Sequence, residues 1–249
     1  MKVKPLLHSV ERVCLFVGYP RSGHSLVGAL LDSHPQATVS HELDLLALWA
    51  EGGQWPDLAE SILENSQRYA FAGRSQSGYD YSLPGQGPAT NPVLLGDKKG
   101  GRTAHYLLRD PDLVHRFQKE TPWPIHLIHV RRDPRDMVAT ISVRHKISVE
   151  KAVVSFWERA EAVEKLRSRW PTERFHDLSL ESLLKDPRSS LRELSRGLEL
   201  SYEAFPLEHI LELLFKEPKR TRHRVEWGEQ GPHLERLCSN HPAFREYLS

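Results

Sequence analysis

Two stretches of this chain have the residue types and spacing of anion sites. The first is Gly18-Tyr-Pro-Arg-Ser-Gly-His-Ser25, with the two glycines at G-x-x-x-x-G spacing. It follows an apolar run, Val13 to Val17, and precedes a segment with apolar Leu26, Ala29 and Leu30. A glycine-spaced turn between a strand and a helix aims several backbone amides at one point, where the helix dipole also favours negative charge. Arg21 adds a fixed cation. Ser25 adds a hydroxyl, and Gly23 lets the backbone come close to a ligand. A nucleotide-triphosphate loop carries Lys after the second glycine, and here that position is His24. The same residues also suit a tight strand–helix turn with no ligand.

The second stretch is Ile125-His-Leu-Ile-His-Val-Arg-Arg-Asp-Pro134. It reads as an apolar strand ending in two arginines, with Asp133 suited to cap a following helix and Pro134 to its first turn. Thr140 stands eight residues after Arg132. A guanidinium and a hydroxyl so placed can grip one phosphate. Ser142 is the alternative hydroxyl, and a capped surface helix is the alternative reading of the whole stretch.

Proton transfer has two candidates in Val39-Ser-His-Glu42, namely Glu42 and His41, with Asp44 a weaker third. Attack by a hydroxyl needs a base to take its proton. Glu42 suits that task, or it stabilises the start of a helix running to Ala50. Lys98, in Gly96-Asp-Lys-Lys99, follows a predicted strand and on its own reads as a solvated loop lysine. A basic stretch, Lys216 to Arg224, ends just before Trp227. Arg222 or Arg224 could close over an anion there, or the run faces water.

The elements that must position these groups follow from periodicity. Strands are predicted at Val13 to Val17, Ala37 to Ser40, Val93 to Leu95, Ile125 to Val130 and Phe175 to Leu178. Helices are predicted at His24 to Ser33, Glu42 to Ala50, Leu58 to Tyr69, roughly 103–117, Asp133 to about His145, Ser148 to Trp170, and most of 181–215. His105 reads as a plain helix residue. Residues 72–92, rich in Gly, Ser, Pro and Gln, read as a long loop. Alternating strands and helices predict an α/β fold with a mostly parallel sheet and helices on both faces. The length of 249 residues suits one domain, 1–249.

Beside this reading stands a resemblance. Pro20-Arg-Ser-Gly-His-Ser-Leu26 resembles the 5′-phosphosulfate loop of sulfotransferases, P-[KR]-S-G-[TS]-[TS]-x. Ala29-Leu-Leu-Asp-Ser-His-Pro35 is similar to the helix end of the tyrosylprotein and bacterial branch. The resemblance implies a P-loop-type three-layer α/β/α fold. It implies a sulfuryl donor, 3′-phosphoadenosine-5′-phosphosulfate (PAPS), with the bisphosphate PAP as product and no metal. Arg21, Ser22, Gly23, Ser25 and the backbone of His24 would then hold the 5′ side. Arg132 and Thr140 match the family's 3′-phosphate motif, and Arg224 its C-terminal basic segment. Glu42, placed 21 residues after Arg21, matches the catalytic glutamate of the tyrosylprotein enzymes. Lys98 matches the lysine of a bacterial Gly-Asp-Lys element, which implies a place facing the bridging oxygen or the transferring group, where a cation stabilises charge on the leaving oxygen. Glu181 to Pro187 resembles a further family segment, whose adenine-holding tyrosine is Leu180 here; Trp227 is the substitute. The implied acceptor is a small molecule or glycan with a hydroxyl or amine.

Composition narrows the field without choosing the acceptor. A net charge of +1 gives no bulk signature of nucleic-acid or acidic-membrane binding. Two cysteines, Cys14 and Cys238, make no disulfide framework. The N-terminal residues lack a signal peptide's apolar core. Together these predict a cytoplasmic protein. Two rival functions stay open. A kinase or NTPase would use Asp97 toward Mg²⁺. A non-catalytic module would bind PAP without turnover.

Overall fold

A computed structural model describes residues 7–72, 81–214 and 217–248. Residues 73–80 of the expected long loop and Lys216 of the basic stretch lie outside the described residues.

Five strands form one sheet: β1 (Arg12–Gly18), β2 (Ala37–His41), β3 (Leu94–Lys98), β4 (Ile125–Arg131) and β5 (Phe175–Ser179). Their order is β2-β3-β1-β4-β5, and neighbouring strands pair in parallel. Strand β1 is central and buried along its whole length, which is why it reads as an unbroken apolar run. Side chains alternate across it. Val13, Leu15 and Val17 enter one core cluster, Cys14 and Phe16 the other.

The helices divide between the two faces. Helix α1 (His24–Asp32) packs Leu26, Val27, Leu30 and Leu31 into the second cluster. So do α8 (Leu180–Lys185), α9 (Pro187–Gly197) and α10 (Leu207–Leu213). The opposite face takes α2 (Leu45–Ala50), α3 (Asp57–Ala72), α4 (Gly100–Leu107), α5 (Leu113–Glu120), α6 (Pro134–His145), α7 (Val149–Arg167) and α11 (Gln230–Ser239). The architecture is the expected three-layer α/β/α, with an all-parallel sheet. After β1 the chain goes out to the edge strand β2, returns to β3 beside β1, then crosses to β4 on the other side. That reversal puts a crevice beyond the carboxyl end of β1, where open α/β sheets bind ligands.

Three boundaries differ from expectation. The helix expected over 103–117 is two helices. Its break lies at Asp110-Pro111, since proline disfavours helical backbone in the residue before it. The helix expected from Glu42 starts at Leu45, because Glu42 and Asp44 have φ of 60° and 70°. The third strand runs on to Lys98, so Gly96-Asp-Lys lies within the sheet rather than in a loop after it. Asp97 pairs with Leu15 on one side and Ser40 on the other. Among the described residues no helix is long and apolar enough to cross a membrane.

Candidate active site

The chain turns from β1 into α1 through Tyr19 to Gly23. Arg21 and Gly23 are both left-handed, with φ of 74° and 112°. Leu26 and Val27 donate to the Gly23 carbonyl at 3.0 and 3.2 Å, which starts the helix. The amides before them have no place in the helical ladder, so their hydrogen-bonding capacity is left over at the start of α1. Tyr19 anchors the turn among Phe156 and Phe244, with ring centroids 5.0 and 5.5 Å away.

His24 stands where a nucleotide-triphosphate loop has lysine, and it brings no charge. Burial first, and Lys98 second, push its pKa down to about 3. The ring sits edge-on to Phe16. Helix α4 closes on its other side: a Cβ at Gly100 would lie 2.4 Å from the imidazole. Glycine there admits the close approach, which accounts for the sequence Lys99-Gly-Gly-Arg102.

The ammonium comes instead from the neighbouring strand. Lys98 ends β3, and its side chain is 1% exposed. Its Nζ donates to Ser25 Oγ at 3.2 Å and to Glu42 Oε1 at 2.5 Å. Its stem passes α1 at Gly28, where a Cβ would come within 2.7 Å of Lys98 Cγ. Lys99 Nζ reaches the other Glu42 oxygen at 2.7 Å. Burial alone would raise the Glu42 pKa, but Lys98 and then Lys99 outweigh it and lower it to about 2. Glu42 is therefore a carboxylate at neutral pH, held between two cations.

Asp97 holds the turn that presents Glu42. Its buried carboxylate accepts from the amides of Leu43, Asp44 and Leu45 at 3.1, 3.0 and 2.9 Å, and from Ser40 Oγ at 2.8 Å. These bonds occupy both oxygens. His41, the rival base, is turned away: its ring packs on Tyr69 and its amide donates to Asn65.

Beyond β4 the two arginines separate. Arg131 turns to the C-terminal residues, donating to the Ala243 carbonyl and pairing with Glu246 at 2.6 Å. Arg132 turns to the crevice. It donates to the carbonyl of Arg21 at 3.1 Å and to that of Lys219. Asp133 caps α6 by accepting from the Arg135 amide, as its sequence position requires. Thr140 Oγ1 lies 2.8 Å from Thr221 Oγ1. Buried Asp136 accepts from the amides of Thr221 and Arg222 and pairs with the Arg222 guanidinium at 2.7 Å. Residues 217–224 are thereby tied across the start of α6. Ser142 is spent on the Ile147 carbonyl at 2.7 Å.

A cavity of about 490 Å³ joins these parts. Arg21, Gly23, His24, Ser25, Glu42 and Arg132 line it. Lys98 stands behind Ser25 and Glu42, and Ser22 is fully buried beneath the loop. Thr140 and His41 are not in the cavity wall. Nor is Arg224, which is exposed; Pro218 and Lys219 line the cavity in its place. Trp227 donates to the Arg222 carbonyl and packs on the core, while Leu180 and Leu184 supply the apolar wall. His105, expected as a plain helix residue, is in the wall with Arg102 and Arg159. Sequence reasoning missed Arg159, which carried no motif, and Gly28, whose role depends on Lys98 lying opposite. It read Asp97 only as a possible Mg²⁺ ligand.

No protein-family model matches the sequence, and no curated protein matches it. Solved structures do match in shape. The sulfotransferase domain of the Synechococcus PCC 7002 olefin synthase is 15% identical with a TM-score of 0.55, over 90% of this chain and 86% of that one. A sulfotransferase from Alicyclobacillus acidocaldarius is 15% identical with a TM-score of 0.50, over 94% of this chain and 93% of that one. With its five parallel strands between two layers of helices, the chain has the fold of these sulfotransferases.

Proposed function

We propose that this chain is one sulfotransferase domain that moves a sulfuryl group from PAPS to a hydroxyl or amine of a small acceptor. The observation that carries the reading is Lys98, whose ammonium touches both Ser25 of the anion loop and the Glu42 carboxylate. A cation and a base so joined at a loop of amides suit transfer between two oxygens. Fold likeness to sulfotransferases supports it.

The residues fit a 3′,5′-bisphosphate donor. Buried polar atoms of the site, Ser22 Oγ, His24 Nε2 and Arg132 Nε, have no partner among the described residues. Arg21, Gly23 and Ser25 would hold the 5′ side, and Arg132 with Lys219 the 3′ side. PAPS supplies an activated sulfuryl group whose sulfur–oxygen bond to phosphate breaks as the bond to the acceptor forms. Glu42 takes the acceptor's proton. Lys98 neutralises charge on the departing phosphate oxygen. Drawing Lys98 toward that oxygen loosens its hold on Glu42, which raises the carboxylate's basicity when a base is needed.

The kinase reading finds less support, because the Asp97 carboxylate is 2% exposed and occupied by three backbone amides. Thermal unfolding with PAP, and with ATP plus Mg²⁺, tests the choice. PAP at about 100 times its dissociation constant adds about 2.7 kcal/mol. Equal or greater stabilisation by ATP–Mg²⁺ overturns the reading. A non-catalytic module would bind PAP yet transfer nothing to any acceptor.

A further inference from the structure

Among the described residues, the cavity wall holds five cationic side chains, Arg21, Arg102, Arg132, Arg159 and Lys219, against one carboxylate, Glu42. Three of the cations form one group. Arg132 is bonded to the backbone of Arg21 and of Lys219, so this group belongs with the anion loop and the segment 217–224. Arg102 and Arg159 form a second group, on α4 and α7, which pack together. Helix α4 follows Lys98 directly, so this second group lies on the Glu42 side of the site.

Five other buried or half-buried arginines, Arg12, Arg131, Arg135, Arg167 and Arg222, each pair with a carboxylate, while Arg174 is held by Gln118 and the Trp170 ring and Arg132 by two backbone carbonyls. Among the described residues the Arg159 guanidinium has only neutral hydrogen-bond partners: the Ser155 carbonyl and hydroxyl, both at 2.6 Å, and His105 Nδ1 at 3.5 Å. Its Nε is buried with no partner among the described residues. A half-buried guanidinium without a counter-ion is costly to keep, and its fork of donors matches an oxyanion. His105 feels the same surplus of positive charge. Burial, then Arg159, Arg109 and Arg102, hold its pKa below the usual imidazole value. With Nδ1 accepting from Arg159, the neutral ring carries its proton on Nε2 and offers a further donor.

We propose that the acceptor carries a small oxyanionic group such as a carboxylate, bound by Arg159 with His105, which holds the acceptor's nucleophile toward Glu42. This rests on the sulfotransferase reading above and adds the substrate class. Arg159 is here a specificity residue, and no bond is made or broken on it.

The test uses full-length protein saturated with PAP, which keeps the donor question separate. Probes are matched pairs, 4-hydroxyphenylacetate with its amide and 3-hydroxybenzoate with its amide, read by calorimetry and thermal shift. The acids should bind about tenfold or more tightly than the amides. Arg159→Leu should abolish that preference while PAP affinity stays within about twofold. Arg159→Lys, which keeps the charge and guards against a folding defect, should retain part of it. Failure of PAP to bind the wild type sinks the donor reading. If PAP binds, but the acids bind no better than the amides or Arg159→Leu keeps the preference, the acceptor inference falls and the donor reading stands.

Discussion

Lys98 Nζ lies 2.5 Å from Glu42 Oε1, so the base and the cation of the proposed reaction hold each other before any substrate arrives. The arrangement fixes what each should lose on mutation. Glu42→Gln should slow transfer by about 10²–10⁴-fold with little change in PAP affinity, because the amide keeps the shape but cannot take a proton. Lys98→Met should also slow transfer. It should raise the Glu42 pKa from about 2 toward its ordinary value. The acid limb of kcat/KM should therefore move up in pH, which a pH–rate profile detects. A Glu42→Gln protein at near wild-type rate would remove Glu42 from the mechanism.

Asp97 predicts an effect from a residue that never faces substrate. Asp97→Asn keeps one carbonyl acceptor but turns an NH₂ group toward the amides of the Glu42 turn. Two donors then meet in a buried place, at a cost of about 2–4 kcal/mol. Denaturant unfolding should show that loss, and transfer should slow at least tenfold while PAP affinity holds. Equal losses in PAP affinity and rate would instead mean general damage to the site.

Arg132→Ala should separate the two ends of the donor. PAP binding should weaken by about 1.5–3 kcal/mol, and binding of adenosine 5′-phosphosulfate, which lacks the 3′-phosphate, should weaken much less. Calorimetry with both ligands decides it. Equal weakening would move the 3′-phosphate to another cation, with Lys219 first in line.

Acid should unfold the protein through its buried imidazoles. Burial foremost holds His24 and His129 at about 3 and His126 at about 4, against 6.5 for a free imidazole. Between those values the unfolded chain binds protons that the native chain refuses, so stability falls as pH falls below about 6.5. Each such histidine contributes a slope of up to about 1.4 kcal/mol per pH unit. Urea midpoints should decline steadily from about pH 6.5 to about pH 4. A flat profile across that window would contradict neutral burial of these rings.

Much of the site was legible because its parts are local. The turn Gly18 to Ser25, the strand ending in Arg131-Arg132 and the Asp133-Pro134 cap each declare themselves within a few residues, and the structure forms all three. What the sequence hid depends on pairs far apart in the chain. Which arginine of Arg131-Arg132 faces the crevice is decided by Glu246, more than a hundred residues later. Whether His41 or Glu42 lines the cavity is decided by Asp97, whose bonds force the left-handed turn at Glu42. The second cationic group needs α4 beside α7, and neither helix carries a motif.

A last consequence concerns how separable the anion loop is from its scaffold. In a P-loop with its own lysine, the charge at the first helical turn travels with the loop as one cassette. Here residues 18–25 would carry Arg21 and a neutral imidazole, while the ammonium beside Ser25 is delivered from β3. That delivery requires β3 to lie next to β1 and Gly28 to leave a channel for the stem. Grafting the loop alone onto another parallel sheet would transplant its backbone but not its full charge. The smallest portable unit is β1, α1 and β3 together.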